Sequence, residues 1–415
     1  MSEGILLAPA LVTCEGPGMP RRGRSLGEVN VIRDAALAWR DGVVTYAGPA
    51  SGMPEDARQR SGPTPRVLRT EGTVVPGFVD CHTHLPFYGW RPEEFQARLE
   101  GQTYRDVQGG GGGIFRSARL LAGASDGEVL DFSRRLTDEM LAHGTTALEL
   151  KTGYGLSVRG EIRQAGLARR LAEEIPQTAT ITLLACHAVP ERLSKDEWVD
   201  AVCRDLIPAV VGLVDAVDVY IEDIAFTVDD LRRVADAARE HGLAVRCHAD
   251  QLGHTGAAEA AVAAGARSAD HLNHVGPEGV AALASAETTA AVLLPVSTLF
   301  LRADPPPAGD LVNAGAAVAI ATDFNPGTSP CLSMPEVMAV AAALYRLPPP
   351  AALVAATANP AWVLGLHDRL GTLEPGKRAD FVVLDAIDVA MISYRPGHNP
   401  VRETWIGGER VARAG

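Results

Sequence analysis

The 415-residue chain is short of aromatic residues, of positive charge and of long apolar runs. Only 5% of residues are Phe, Trp or Tyr although 47% are hydrophobic, so aliphatic side chains must fill most of the interior. Thirty-eight Lys and Arg stand against 51 Asp and Glu, a net charge of −13. That balance argues against nucleic acid or an anionic membrane surface as a partner, and an anionic substrate would need local positive charge in its pocket. No uninterrupted apolar stretch reaches the roughly 18–20 residues of a spanning helix. The N-terminal MSEGILLAPALVTCEG carries no basic segment, which speaks against a secretory signal. The cysteines at 14, 81, 186, 203, 247 and 331 have no paired spacing, which fits a reducing cytoplasm better than a disulfide framework.

What the chain does have is alternation. Short apolar runs at 74–79, 145–151, 180–186, 216–221, 243–248, 267–271, 289–295 and 316–322 are separated by amphipathic stretches such as 126–142, 158–174, 227–240 and 254–264. Eight such repeats predict an α/β fold, a parallel (β/α)8 barrel of the TIM type, closed by helices at 333–346 and 350–364. The flanks are β-like instead, with hairpin turns expected at Asp41-Gly42 and Gly407-Gly408. Residues 1–73 and 370–415 are each too short for a good core, so together they are expected to form a small β-sandwich beside a barrel of residues 74–369. The run Gly109–Gly113 is expected to be a mobile loop or a place of close backbone approach to a ligand.

Five polar residues end these runs. His82 and His84 close VVPGFVDCHTH, His248 closes LAVRCHA, His271 closes RSADH and Asp323 closes AAVAIATD. A parallel barrel presents its catalytic groups at such carboxyl ends. Side chains alternate along an extended chain, so His82 and His84 face one side, and Cys81, Cys186 and Cys247, each next to a histidine, should point away from the site. Imidazoles with one carboxylate make an open site for zinc or another divalent metal. Such an ion lowers the pKa of its water towards about 7, which suits hydrolysis. Asp323 can bind metal and accept the water's proton. His271, expected to titrate near neutral pH, can bond the developing oxyanion or shuttle a proton. His187, after LLAC, could bind substrate, and Glu222, after VDVYI, could bridge a second metal. The fourth strand has no lysine that could be carboxylated between two ions, so one divalent metal per chain is expected.

Taken together, PGFVDCHTHLPF, Arg91 with EEF, GQTY, GGGI, ELKTGYGL, ACHAVP, VDVYIED, HADQL, SADHL, LLP and ATDFNPGTSP resemble the imidazolonepropionase family of the amidohydrolase superfamily. The similarity runs nearly end to end. His-x-His and the last Asp are shared across many amidohydrolases, whereas KTGYGL, HAVP and DFNPGTSP are narrower. The resemblance implies metal-dependent opening of the ring amide of 4-imidazolone-5-propanoate to N-formimidoyl-L-glutamate, in histidine degradation. It assigns zinc or iron to His82, His84, His248 and Asp323. It assigns contacts with a small anionic heterocycle to Arg91, Tyr154, His187, Gln251, Asn325, Gly327 and Thr328. Arg91 offers a two-pronged donor for a carboxylate. Tyr154 offers one hydrogen bond, and the turn after Asp323 offers an amide, a backbone N–H and a hydroxyl. Barrels of this type often pair into homodimers, but the sequence does not fix the oligomeric state.

Some positions depart from the family. Gln251 stands where many relatives carry Glu; it can orient a substrate but not exchange a proton, which argues against a cytosine-type deaminase. Trp90, FRSARLLA at 115–122, Val296-Ser297-Thr298 and His254 also differ and would alter the pocket rim. The alternatives are an aminohydrolase or lactamase of the same fold, or a non-catalytic assembly protein, which should lack ligands that are all present here.

Overall fold

The computed structural model describes residues 3–16, 18–55, 57 and 66–413. The chain opens with strands β1 (Glu3–Val12), β2 (Val31–Arg40), β3 (Val43–Pro49), β4 (Arg66–Arg69) and β5 (Val74–Pro76). Eight strands then alternate with helices: β6 (Phe78–Asp80), β7 (Thr145–Lys151), β8 (Thr178–Cys186), β9 (Ala216–Ile221), β10 (Ala244–Ala249), β11 (Ser268–His271), β12 (Ala290–Leu293) and β13 (Val318–Ile320). They pair in parallel in sequence order from β6 to β13 and form the expected barrel. Its seam is closed without a ladder. Asp80 accepts from the backbone N and Oγ1 of Thr322 at 3.1 and 2.6 Å, and the His84 N–H donates to the Phe324 carbonyl at 2.9 Å.

The remaining strands, β14 (Phe381–Leu384), β15 (Val401–Ile406) and β16 (Glu409–Arg413), return to the first five. The small β region is one eight-stranded sheet, ordered β16-β15-β14-β5-β1-β2-β3 with β4 beside β1. Most of its pairs are antiparallel; β1 runs parallel to β4 and β5. Both expected hairpins form. Asp41 and Gly42 have φ of 51° and 77°, Gly407 and Gly408 of 55° and 72°, the left-handed pairs that a type I′ turn requires. Trp39, Phe381 and Trp405 pack in the centre of this sheet, with ring centroids 5.2–5.8 Å apart.

The strand expected at 74–79 is two strands. Val74–Pro76 pairs with β1 and β14, and only Phe78–Asp80 belongs to the barrel. Gly77 makes the crossing, because a Cβ there would lie 2.1 Å from Thr146 Oγ1. The helix expected at 350–364 is broken into Pro349–Ala355 and Ala358–Val363. The Gly109–Gly113 run is not a free loop. It joins helix Tyr104–Gly109 to helix Gly113–Gly123, and Glu94 Oε1 pins the Gly113 N–H at 2.9 Å. Among the described residues no helix is long and apolar enough to cross a membrane.

Candidate metal and substrate site

Alternation along the barrel strands sorts their side chains. Leu148 and Leu150 of β7 and Cys247 of β10 enter the apolar layer under the helices. Glu149, Lys151, Asp218, Arg246 and Asp270 make their contacts with one another inside the barrel, each no more than 2% exposed. Cys81 and Cys186 likewise lie in apolar clusters, and burial pushes their thiols up. Above the ionic layer sit the histidines. His271, the last residue of β11, and Asp323, three residues past the end of β13, have φ of 78° and 53°, a left-handed conformation that costs a non-glycine residue energy and clusters at functional sites.

The four expected metal ligands do not form one mutually close set. With His271 added they fall in two triads that share His82: His82, His84 and Asp323, and His82, His248 and His271, with ligand atoms within 4.8 Å of one another in each. Asp323 Oδ1 lies 3.5 Å from His82 Nε2 and 3.2 Å from His84 Nε2. His82 Nδ1 is bonded to Asp270 Oδ2 at 2.6 Å and His248 Nδ1 to Asp218 Oδ1 at 3.0 Å. Those carboxylates fix the tautomer and leave each Nε2 for the cavity, the arrangement that supports a metal-bound imidazole. The Nε2 atoms of His82 and His248 are buried without hydrogen-bond partners and Asp323 Oδ1 stands beside the Nε2 atoms of His82 and His84, so a divalent cation fits this donor set; His271 Nε2, also without a partner, adjoins it. Burial holds His82, His84 and His187 well below the ordinary imidazole value. His271 is pushed down to about 3 by burial, which the Asp323 charge only partly offsets. It is therefore neutral at physiological pH, not titrating near 7 as its residue type implied.

Around this cluster Arg91, Ile114, Tyr154, His187, Tyr220, Gln251, Asn325 and Thr328 line one pocket with His84, His248, His271 and Asp323. Arg91 sits at the N-cap of helix Pro92–Leu99, 4% exposed. Its Nε and Nη1 have no hydrogen-bond partner, and Glu94 Oε2 is 3.5 Å from Nη1. The His187 ring stacks on His84 at 5.2 Å, with Nδ1 3.2 Å from the Gly153 carbonyl. Gly327 differs from expectation. Its N–H already donates to Asn325 Oδ1 at 2.9 Å, as does that of Thr328 at 2.7 Å. What Gly327 supplies is space, since a Cβ there would lie 1.7 Å from Arg91 Nη2. Glu222 does not line this pocket: Oε1 accepts the N–H groups of Gln251 and Leu252, both at 2.7 Å, Oε2 is buried without a hydrogen-bond partner, and burial raises the carboxyl to about 7.

Sequence reasoning missed the carboxylates behind the histidines, Asp218 and Asp270, and the ions between them. The signal was there: charged residues two apart inside otherwise apolar strands, as in Glu149–Lys151 and Arg246–His248, are side chains facing inward.

The amidohydrolase family model matches residues 73–411. The chain belongs to the amidohydrolase family. Members of this family are metal-dependent, in keeping with the donor set. The imidazolonepropionase of Rubrobacter xylanophilus is 42% identical over 392 residues, covering 94% of this chain and 93% of its own length. That of Rhizorhabdus wittichii is 41% identical, with 93% and 96% covered. Among solved structures, a zinc-bound adenosine deaminase from Xanthomonas campestris superposes with a TM-score of 0.72 at 21% identity, covering 99% of this chain and 92% of that one. Guanine deaminase of E. coli does so at 0.71 and 17%, covering all of both. At such identities these amidohydrolase neighbours speak to fold alone.

Proposed function

We propose that this chain is an imidazolonepropionase of histidine degradation, hydrolysing 4-imidazolone-5-propanoate to N-formimidoyl-L-glutamate. One observation carries the reading. A buried arginine with unbonded donors shares a small pocket with the histidine–aspartate cluster, in a protein of net charge −13. The propanoate carboxylate would satisfy that guanidinium and hold the ring amide over the cluster. Relatives about 41–42% identical over nine-tenths of the chain carry the same name.

In this reading the two triads that share His82 meet on one zinc or iron ion, which His82, His84, His248 and Asp323 would hold and which would act as a Lewis acid on the amide carbonyl and lower the pKa of water. Asp323 takes the proton of the attacking water as its oxygen joins the carbonyl carbon. It returns a proton to the ring nitrogen as the C–N bond breaks. Neutral His271 donates a hydrogen bond to the carbonyl oxygen as charge develops there. His187 donates from Nδ1 to the Gly153 carbonyl, which leaves Nε2 for the substrate. Tyr154 and Gln251 orient the ring, and Gln251 transfers no proton. Asn325 contributes by holding the turn that carries the Thr328 hydroxyl. The cysteines, free throughout, suit a reducing cytoplasm.

The test is incubation of metal-loaded protein with 4-imidazolone-5-propanoate and neighbouring lactams, with products weighed by mass spectrometry. Ring opening with a gain of one water supports the reading. Ammonia release from a pyrimidine or purine, with no turnover of the imidazolone, would make the chain an aminohydrolase instead.

A further inference from the structure

Beneath the pocket, the barrel interior carries a continuous line of ionic contacts from one histidine to another. His82 Nδ1 meets Asp270 Oδ2 at 2.6 Å, and Asp270 Oδ2 meets Arg246 Nη2 at 3.2 Å. Arg246 Nη1 meets Glu149 Oε1. Glu149 Oε2 meets Lys151 Nζ at 2.9 Å, and Lys151 Nζ meets Asp218 Oδ2 at 2.7 Å. Asp218 Oδ1 then meets His248 Nδ1 at 3.0 Å. Every member is at most 3% exposed. Glu149 is the midpoint of this line. It touches neither histidine and lines no part of the pocket, yet it contacts both cations and accepts from Thr182 Oγ1.

Buried ions are costly, and replacing such a network with packed hydrocarbon is often neutral or stabilising. Stability alone is therefore a poor reason for five charged side chains here. Orientation is a better one. Asp218 and Asp270 serve the histidines only while their other contacts hold them in place, and those contacts are Lys151 and Arg246. Glu149 is what both cations share.

We propose that Glu149 is a positioning residue for the metal site: through Lys151 and Arg246 it keeps Asp218 and Asp270 on the Nδ1 atoms of His248 and His82, so that both imidazoles present Nε2 to one ion. This rests on the reading of His82 and His248 as ligands. Losing the outer partner of a ligand histidine commonly weakens metal binding by about 10–100-fold. Glu149 acts one contact further out on both arms, so the expected loss is towards the lower end, near tenfold.

The experiment measures the zinc dissociation constant of full-length protein by competition with a chromophoric chelator. Glu149→Gln is expected to bind zinc about tenfold more weakly, and Lys151→Met to show a comparable loss. With zinc saturating, KM of Glu149→Gln should remain that of the wild type. Thr182→Val, which removes a bond to Glu149 but no charge, should bind zinc as the wild type does. If Glu149→Gln is less heat-stable but binds zinc normally, Glu149 is merely structural and the proposal falls. Should Glu149→Gln not fold, Glu149→Asp keeps the charge but draws it back by one methylene from both cations. Weakened zinc binding supports the proposal, and wild-type affinity overturns it. His248→Ala separates the two readings. If it binds zinc normally, the metal site itself is misassigned; if it loses zinc while Glu149→Gln does not, only the role of Glu149 is wrong.

Discussion

The molecule has two interiors built on opposite principles. The small sheet is filled by Trp39, Phe381, Trp405, Leu37 and Val383, hydrocarbon surfaces that gain by leaving water in any close-packed arrangement. The barrel below the pocket is filled by Glu149, Lys151, Asp218, Arg246 and Asp270, which gain only when each charge meets its partners. Loss in the first is graded with the area removed. Loss in the second strands a buried charge. Burial raises the Asp218 carboxyl, but His248 and Lys151 outweigh it and hold it well below the usual carboxylate range. Lys151 is likewise held above its ordinary value by Asp218, Glu149 and Asp270, against burial and Arg246. A metal site needs fixed, directional groups beneath it, and a hydrocarbon core cannot supply them.

The sharpest way to break the contrast is at the site itself. His248→Ala should lose metal and activity together, by about 10²-fold or more, since metal polarisation contributes several kcal/mol. Elemental analysis beside kinetics checks this, and a metal-depleted variant of wild-type activity would remove His248 from the ligand set. Next comes the pair of interiors. Arg246→Met leaves Glu149 and Asp270 without their shared cation and should cost about 3–5 kcal/mol in denaturant unfolding. Phe381→Leu in the sheet should cost less, about 1–2 kcal/mol, with kcat and KM unchanged. Equal costs would erase the distinction. Arg91→Met removes a charge-assisted bond of roughly 1.5–3 kcal/mol, so KM should rise about ten- to a hundredfold. An amide analogue of the substrate should lose much less; an equal loss would show that Arg91 does not read a carboxylate.

The smallest effect tests a charge inside the hydrocarbon region. Burial raises the Asp380 carboxyl to about 6, with Arg378 and a bond from the Gly407 N–H opposing the shift. A folded value above the unfolded one means the group favours folding while protonated. Its contribution is complete below pH 3.8 and is lost as pH rises through about 6. Asp380→Asn keeps the acceptor for Gly407, so the difference in stability between variant and wild type should change across that window. A difference constant with pH would mean that Asp380 ionises as freely folded as unfolded.

The barrel was legible because strand–helix alternation is a period that one sequence carries on its surface. The hairpins were legible because Asp-Gly and Gly-Gly serve the left-handed turn. The division at Gly77 was not, since an apolar run reads the same whether its residues pair with β1 and β14 or with β7. At the site, the strand-end histidines and Asp323 announce themselves by position. The neutrality of His271 does not, because burial by distant segments sets it. Nor does the role of Gly327: its N–H reads as a donor until the loop folds and Asn325 takes it.

The path of the chain through Gly77 also bears on synthesis. Val74–Pro76 is made early, but its neighbour Phe381–Leu384 leaves the ribosome about 300 residues later. At roughly 5–20 residues per second the edge of β5 stays uncovered for about 15–60 seconds while the whole barrel is translated. A growing polypeptide with an open, apolar strand edge is a target for wrong pairing with its neighbours on a polysome. Pro76, which has no N–H to offer a stray strand, and the immediate turn into the barrel after it shorten that hazard to three residues.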